Sequence, residues 1–555
     1  MGLWSAYFLV KLVLYALGYM AFNPWMNLAL AIFSALPPRN ARQRFAKNLI
    51  AVPLGILLLY HDSWLPPIAQ ALAQAQILRA FTASYLLELA GRLISWKLLL
   101  GLAAMLAIYA LARRKLRMST FAFLGILGVM VAPHAQFWAV AAPSPPAGAA
   151  TSTVSDDVNL GPAALDARLA RFYAEQNKIQ IRFPRPAAEQ PPFDILILHV
   201  CSLSWDDLRT LQLAPDAFFG HFDVVLSNFN SAASYSGPAA IRLLRGACGQ
   251  TAEARLYDPA GNGCFVMDGL QNAGFEPHWA MNHDGHFGNF FGDVRDRGGL
   301  AAVLEDNTGT TRAQQAFDGT PVYSDYSVLS HWWAKRQANR APRVALYYNT
   351  ISLHDGNRVL GTDHPDSSYG ARFARLSSDI AKFMDQVRAS GRRVILVFIA
   401  EHGAALGGDR RQIPGLREIP TGAIAQVPVA IALINATRPA PATQSKIDVP
   451  SSYPALNELL SRLIATNPFD KPASSLDPYT DALPQADFVA ENNGTTVVQV
   501  GTHYMMRSPD GAWSSLEGID TGARSATGHS IRHDKRTAAA SSAAQLLRAV
   551  AVTGD

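Results

Sequence analysis

The sequence predicts an α/β domain on a mainly parallel sheet, preceded by a block of apolar helices. Three observations carry this reading. From residue 158 onward, short strand-like apolar runs alternate with helical stretches, the pattern of a largely parallel sheet. Three of those runs, "FDILILHVCSLSW", "RVALYYNTISLHDG" and "RVILVFIAEHG", each deliver a metal-type side chain at or just past the carboxyl end: Cys201, His354 and the pair Glu401-His402. Before residue 141 the chain is dominated by long apolar segments. Only 16% of the 555 residues are charged, against about a quarter in soluble domains.

The apolar segments lie at 3–22, 24–37, 48–62, 98–112 and 119–138, and several approach the ~20 residues that cross a bilayer. Between them sit Arg39, Arg42, Arg44 and Lys47, then Arg113, Arg114, Lys115 and Arg117. Positive loops stay in the cytoplasm. Residues 1–141 therefore read as about five spans with the amino terminus inside. The loop bearing His61, Asp62 and Trp64, and everything after residue 138, then faces outward. Leu65 to Lys97 reads as a helix in the membrane interface, because Arg79, Glu88 and Arg92 would be costly in hydrocarbon. The Pro/Ala/Ser/Thr-rich stretch 142–157 is a tether, and 158–555 is the exported catalytic domain. The net charge of +5 reflects mostly the basic loops and points to no nucleic-acid partner.

In open α/β sheets the ligand crevice lies at the carboxyl ends of the strands. Adjacent strand residues point to opposite faces. Glu401 and His402 can thus share an ion only if the chain has already turned, a freedom expected of Gly403. The chain has three cysteines. Cys248 and Cys264 pair as a disulfide in an oxidising compartment, which leaves Cys201 as either a small buried hydrophobe or a zinc thiolate. In "NFNSAASYSGPAAIRLLR", Pro238 suits the first turn of a helix running through Leu244, with Ser236 at or near its start. There a serine is an ordinary cap or a nucleophile facing a phosphate site.

"MNHDGHFGNFFGDVRDRGG" supplies His283, Asp284, His286 and Asp293, read as a substrate-lining loop. Trp205, Tyr347, Tyr348 and Trp513 can face a sugar polymer, with core packing the default. "VVQVGTHYMMRSPDGAW" reads as a hairpin at the sheet's edge, turning at Pro-Asp-Gly. The Ala/Ser-rich tail after Arg524 carries no motif.

The stretches "HVCSLSWDDL", "NFNSAASYSGPAAIRLLR", "YYNTISLHDGNR" and "AEHGAALGGD" resemble the phosphoethanolamine transferases of the alkaline phosphatase superfamily. Among these they are most similar to the cellulose-modifying, BcsG-type branch. The resemblance implies zinc held by Cys201, Glu401, His402 and Ser236, with Ser236 also the nucleophile, and Tyr235, His354 and Arg417 assisting around the phosphate. It implies phosphatidylethanolamine as donor, cellulose as acceptor, and a bacterial inner-membrane protein with a periplasmic catalytic domain working beside cellulose synthase subunits. The lipid A-type transferases usually carry Thr, an acid and Asp-His where Ser236, Cys201 and Glu401-His402 stand here. A sulfatase is disfavoured, because Ala240 stands where its motif places Arg. Three alternatives remain: a metallo-phosphohydrolase, a transferase acting on another envelope glycan, and a non-catalytic scaffold.

Overall fold

The computed structural model describes residues 3–16, 20–63, 81–83, 85–87, 91, 96–138, 160–360, 368–409, 411–437, 444–470 and 476–516. The tether at 142–157 and the tail after Arg524 lie outside them. Among the described residues, five helices occupy the N-terminal part: α1 (Leu3–Ala16), α2 (Pro24–Ala35), α3 (Ala41–Asp62), α4 (Trp96–Ala112) and α5 (Met118–Trp138). Phe8 of α1, Leu30 of α2, Leu58 of α3 and Ile126 of α5 form a shared core. Trp25, Phe45, Ile108 and Leu124 are exposed on the outside.

Helix α2 has 12 residues, shorter than the apolar run at 24–37 suggests. Among the described residues, no helix is long and apolar enough to cross a membrane. Helix α3 starts seven positions before its apolar run. Asn40 accepts the Gln43 N–H at 2.8 Å, which caps the helix ahead of the basic residues.

Asp62 corrects the sequence reading. It does not sit in a loop but ends α3 and is 1% exposed. Lys11 Nζ donates to Asp62 Oδ2 at 2.7 Å and to Asn27 Oδ1 at 2.9 Å. Asn27 Nδ2 donates to the same carboxylate oxygen at 2.7 Å, and Oδ1 accepts the Asn23 N–H. Three helix segments are tied by one fully partnered polar knot.

The second part is built on a seven-stranded sheet. Its strands are β1 (Asp194–Val200), β2 (Val224–Asn230), β3 (Glu276–Met281), β4 (Val344–Thr350), β5 (Val394–Ala400), β6 (Gln426–Ile434) and β7 (Ser445–Ile447), in the order β7-β2-β6-β5-β1-β4-β3. Only β6 runs against the rest. Every residue of β1, β4 and β5 is buried, which explains their unbroken apolar runs: both faces of a parallel sheet are covered. Side chains of α7 (Asp325–Ala338), α8 (Tyr369–Ala389) and α9 (Tyr453–Thr466) share the sheet's core. Tyr347 and Tyr348 are fully buried within it, so neither faces a glycan.

The stretch expected as an edge hairpin belongs instead to a separate four-stranded antiparallel sheet of β8 (Val489–Asn492), β9 (Thr495–Val500), β10 (His503–Arg507) and β11 (Trp513–Ser515). Its own core of Phe488, Val497, Tyr504 and Met506 explains the separation.

Candidate metal centre and nucleophile

Strands β5, β1 and β4 lie side by side and point their carboxyl ends the same way. The ladder continues one step past each strand: Glu401 N–H donates to Val200 O (2.8 Å) and Cys201 N–H to Thr350 O (2.9 Å). Leu203 N–H then donates to His402 O (2.7 Å), stapling the two exit loops together. Ser202 makes its turn with a left-handed φ of 62°, an uncommon conformation for a residue with a Cβ. Gly403 is needed for space rather than for a left-handed backbone. A Cβ there would meet Ser204 Oγ at 2.7 Å, and the first left-handed residue of this loop is Ala405 at φ 56°.

The fourth member arrives after β2. Helix α6 (Ser236–Leu244) is capped at Tyr235, so Ser236 is its first residue. Its Oγ lies 3.4 Å from Cys201 Sγ and 3.4 Å from His402 Nε2, and Cys201 Sγ is 3.9 Å from the same nitrogen. One donor atom each from Cys201, Glu401 and His402 falls within a 4.8 Å span. All three residues are at most 1% exposed.

Burial presses these groups toward neutrality. It pushes the Glu401 carboxyl up to about 7 and the Cys201 thiol up to about 12, and it lowers His402 well below the usual histidine range. Glu401 Oε2 has no hydrogen-bond partner among the described residues. Its other oxygen is held by a directed chain. Gly285 N–H donates to His283 Nδ1 (3.1 Å), so Nε2 carries the proton and donates to Asn349 Oδ1 (2.8 Å). Asn349 Nδ2 then donates to Glu401 Oε1 (2.5 Å). On the imidazole side, His402 Nδ1 lies 2.9 Å from Gly403 O, and Nε2 faces the cluster. An orphaned carboxylate oxygen, a thiol and an imidazole nitrogen converging in a buried site fit a divalent cation of the zinc type.

Two family models match the chain: "Cellulose biosynthesis protein BcsG N-terminal domain" over residues 4–131 and "Cellulose biosynthesis protein BcsG C-terminal domain" over 149–513. The cellulose biosynthesis protein BcsG of Escherichia coli strain K12 is 35% identical over 540 residues, covering 92% of this chain and 95% of the relative. The chain belongs to the BcsG family. The Salmonella typhimurium member is 34% identical over 533 residues, with the same coverage of both chains. Among solved structures, an alkaline phosphatase superfamily protein from Vibrio parahaemolyticus aligns with a TM-score of 0.46 at 14% identity, covering 63% of this chain and 87% of that one.

In this BcsG-family chain Tyr235 and Arg417 stand beside His402, and His354 lies within electrostatic reach of Arg417 and His402. The Tyr235 hydroxyl donates to Glu418 Oε1 at 2.8 Å, and the Arg417 guanidinium lies 5.0 Å from the Tyr235 ring centroid. Arg417 Nη1 donates to Ser202 Oγ (3.3 Å) and lies 3.1 Å from His402 Nδ1, while its buried Nε has no partner among the described residues. His354 stacks on Phe317 with centroids 4.6 Å apart, and its Nδ1 is 2.7 Å from Asp355 O. Desolvation and the Arg417 charge lower its pKa to about 4.

Of the loop residues, His283 is buried and reaches the site only through Asn349, whereas Asp284 and His286 are exposed. Asp293 abuts the start of α6, where a Cβ on Gly237 would meet its Oδ2. Trp205 is partly buried against Phe219, and Trp513 Nε1 donates to Asp166 Oδ1. Cys248 and Cys264 are bonded to each other, and Cys201 is the free thiol. Asn349 escaped the sequence reading. Its signal is a lone amide inside the apolar run "VALYYNT", where a buried polar group demands partners.

Proposed function

We propose that this protein is a zinc-dependent phosphoethanolamine transferase of cellulose biosynthesis. It moves phosphoethanolamine from phosphatidylethanolamine to glucose C6 hydroxyls of secreted cellulose through a phosphoserine at Ser236. The observation that carries this is the placement of Ser236 Oγ, 3.4 Å from both Cys201 Sγ and His402 Nε2, on the first residue of a helix. Free N–H groups at such a helix start favour a phosphate. Membership of the BcsG family supports the acceptor.

Cys201, Glu401 and His402 would hold the ion, with Ser236 as its fourth ligand. Bound there, zinc supplies positive charge for the phosphoryl oxygens and a more acidic serine hydroxyl. Ser236 Oγ forms a bond to phosphorus as the bond to the diacylglycerol oxygen breaks, and the serine proton leaves with the alcohol. The glucose hydroxyl then attacks phosphorus, and the Oγ–P bond breaks. Arg417 Nε is a free donor beside this site for a phosphoryl oxygen. His354 moves the proton between the entering and leaving hydroxyls. The Tyr235–Glu418 bond fixes the residue that caps the helix.

The same reading places residues 1–141 in the bacterial inner membrane, as about five spans, with the catalytic domain in the periplasm. Exposed apolar side chains such as Trp25, Ile108 and Leu124 support the first point. The Cys248–Cys264 bond supports an oxidising compartment. Cellulose synthase subunits are the expected neighbours. Mass spectrometry of the secreted polysaccharide, with and without this protein, tests the acceptor. Phosphoethanolamine on glucose only when the protein is present is the expected result; unmodified glucan in both samples would overturn it.

A further inference from the structure

His354 rides on a tight turn rather than on a strand. Its N–H donates to Ile351 O (2.9 Å), Asn357 N–H donates back to His354 O (3.3 Å), and Asn357 Nδ2 donates to Ile351 O (2.7 Å). Gly356 closes the turn at φ 79°, in the left-handed region. A functional side chain on so short a loop is aimed only as well as its supports allow.

Those supports come from the other end of the chain. Phe81, Thr82 and Tyr85 belong to the stretch read as an interfacial helix, yet all three touch the catalytic domain. The Tyr85 hydroxyl donates to Asp355 Oδ2 at 3.0 Å, across 270 positions. Its ring covers Gly356, where a Cβ would meet a ring carbon at 2.5 Å. Thr82 N–H donates to Phe317 O at 3.0 Å. Phe317, whose ring stacks on His354, packs against Phe81 at 5.2 Å, Tyr85 at 5.8 Å and Phe287 at 4.6 Å between centroids. Tyr85 is 6% exposed and Phe317 3%.

A phenylalanine at position 85 would pack in this cluster equally well. The hydroxyl grips the side chain of Asp355, the residue whose backbone oxygen accepts the His354 Nδ1 proton. That bond sets the tautomer with the Nε2 lone pair free for proton transfer. We propose that Tyr85, from the N-terminal part of the chain, is a positioning residue for the transfer reaction, holding the His354 imidazole in register through Asp355. The inference rests on the reading of His354 as the proton-moving group. It makes the N-terminal segment part of the active site's support and not only an anchor.

The test uses the full-length, zinc-loaded protein in phosphatidylethanolamine vesicles, with a cello-oligosaccharide as acceptor. Tyr85→Phe should lower kcat about tenfold, the worth of one hydrogen bond, with the acceptor KM and zinc content unchanged. Asp355→Ala should lower it at least as far, and the double variant should be no slower than Asp355→Ala alone. Asp355→Asn keeps an oxygen acceptor for the tyrosine hydroxyl and should restore most of the rate. A wild-type kcat in Tyr85→Phe, or losses that multiply in the double variant, would overturn the proposal. A wild-type protein that transfers normally but shows no loss on His354→Ala would overturn the reading of His354 instead, and the proposal with it.

Discussion

Two buried polar clusters, one in each half of the molecule, differ in a way that separates architecture from chemistry. The knot of Lys11, Asn27 and Asp62 is closed: both carboxylate oxygens of Asp62 accept hydrogen bonds, and Lys11 reaches Leu58 O as well. The cluster of Cys201, Ser236, Glu401 and His402 is open: Glu401 Oε1 is held by Asn349, while Oε2, 3.8 Å from His402 Nε2, has no hydrogen-bond partner among the described residues. Leaving a buried carboxylate oxygen unsatisfied destabilises a fold, so the open cluster costs stability until a cation enters. A closed knot needs nothing further. The lesson is that buried polarity alone does not mark a site; the unmet donor or acceptor does.

Breaking the closed knot should produce the largest change in stability. Lys11→Met leaves Asp62 buried without its cation and should cost about 3–5 kcal/mol, read by thermal unfolding in detergent, with zinc content unchanged. Replacing Asp62 by Leu in the same chain should recover most of that loss. A Lys11→Met protein as stable as wild type would show that the knot is not closed in the way described.

The disulfide sharpens the comparison from outside both clusters. Cys248→Ser with Cys264→Ser should lower stability by about 3 kcal/mol in the chain-entropy model, yet leave zinc bound. Loss of metal in that variant would mean that these thiols contribute to the metal site. A smaller change is expected from Asn349→Ala, which frees Glu401 Oε1. Zinc affinity, measured by competition with a chelator, should fall about 10–100-fold, the usual worth of a group that orients a metal ligand. Unchanged affinity would remove Asn349 from the account.

Much of the open cluster was legible in the sequence because its members stand where buried strands end. Cys201 and Glu401-His402 each follow an apolar run, and Pro238 marks the helix that Ser236 begins. The closed knot was not legible. Asp62 lies 51 positions from Lys11, and its own neighbours, His61 and Ser63, read as a loop. Asn349 hid for a different reason: within "VALYYNT" it looks like the frayed end of a strand, and only its neighbour strands show that it faces Glu401. The Gly403 prediction placed the turn correctly but gave the wrong cause, since local sequence cannot show that Ser204 crowds the position. The stretch Leu65 to Lys97 reads as an interfacial helix as a whole, because a charge-poor helical stretch does not reveal which surface any one of its residues, Tyr85 included, covers.

The central claim is that the open cluster exists to make Ser236 a nucleophile. The most direct test is the intact mass of the full-length protein after incubation with phosphatidylethanolamine, compared with Ser236→Ala. Tyr235 caps α6 and the Ser236 hydroxyl does not, so the variant should fold and melt as wild type does, and keep most of its zinc through the three remaining ligands. Wild type should gain one phosphoethanolamine, mapped by peptide analysis to "SYSGPAAIR", and the variant none. An adduct on another residue, or full transfer activity in the variant, would contradict the account.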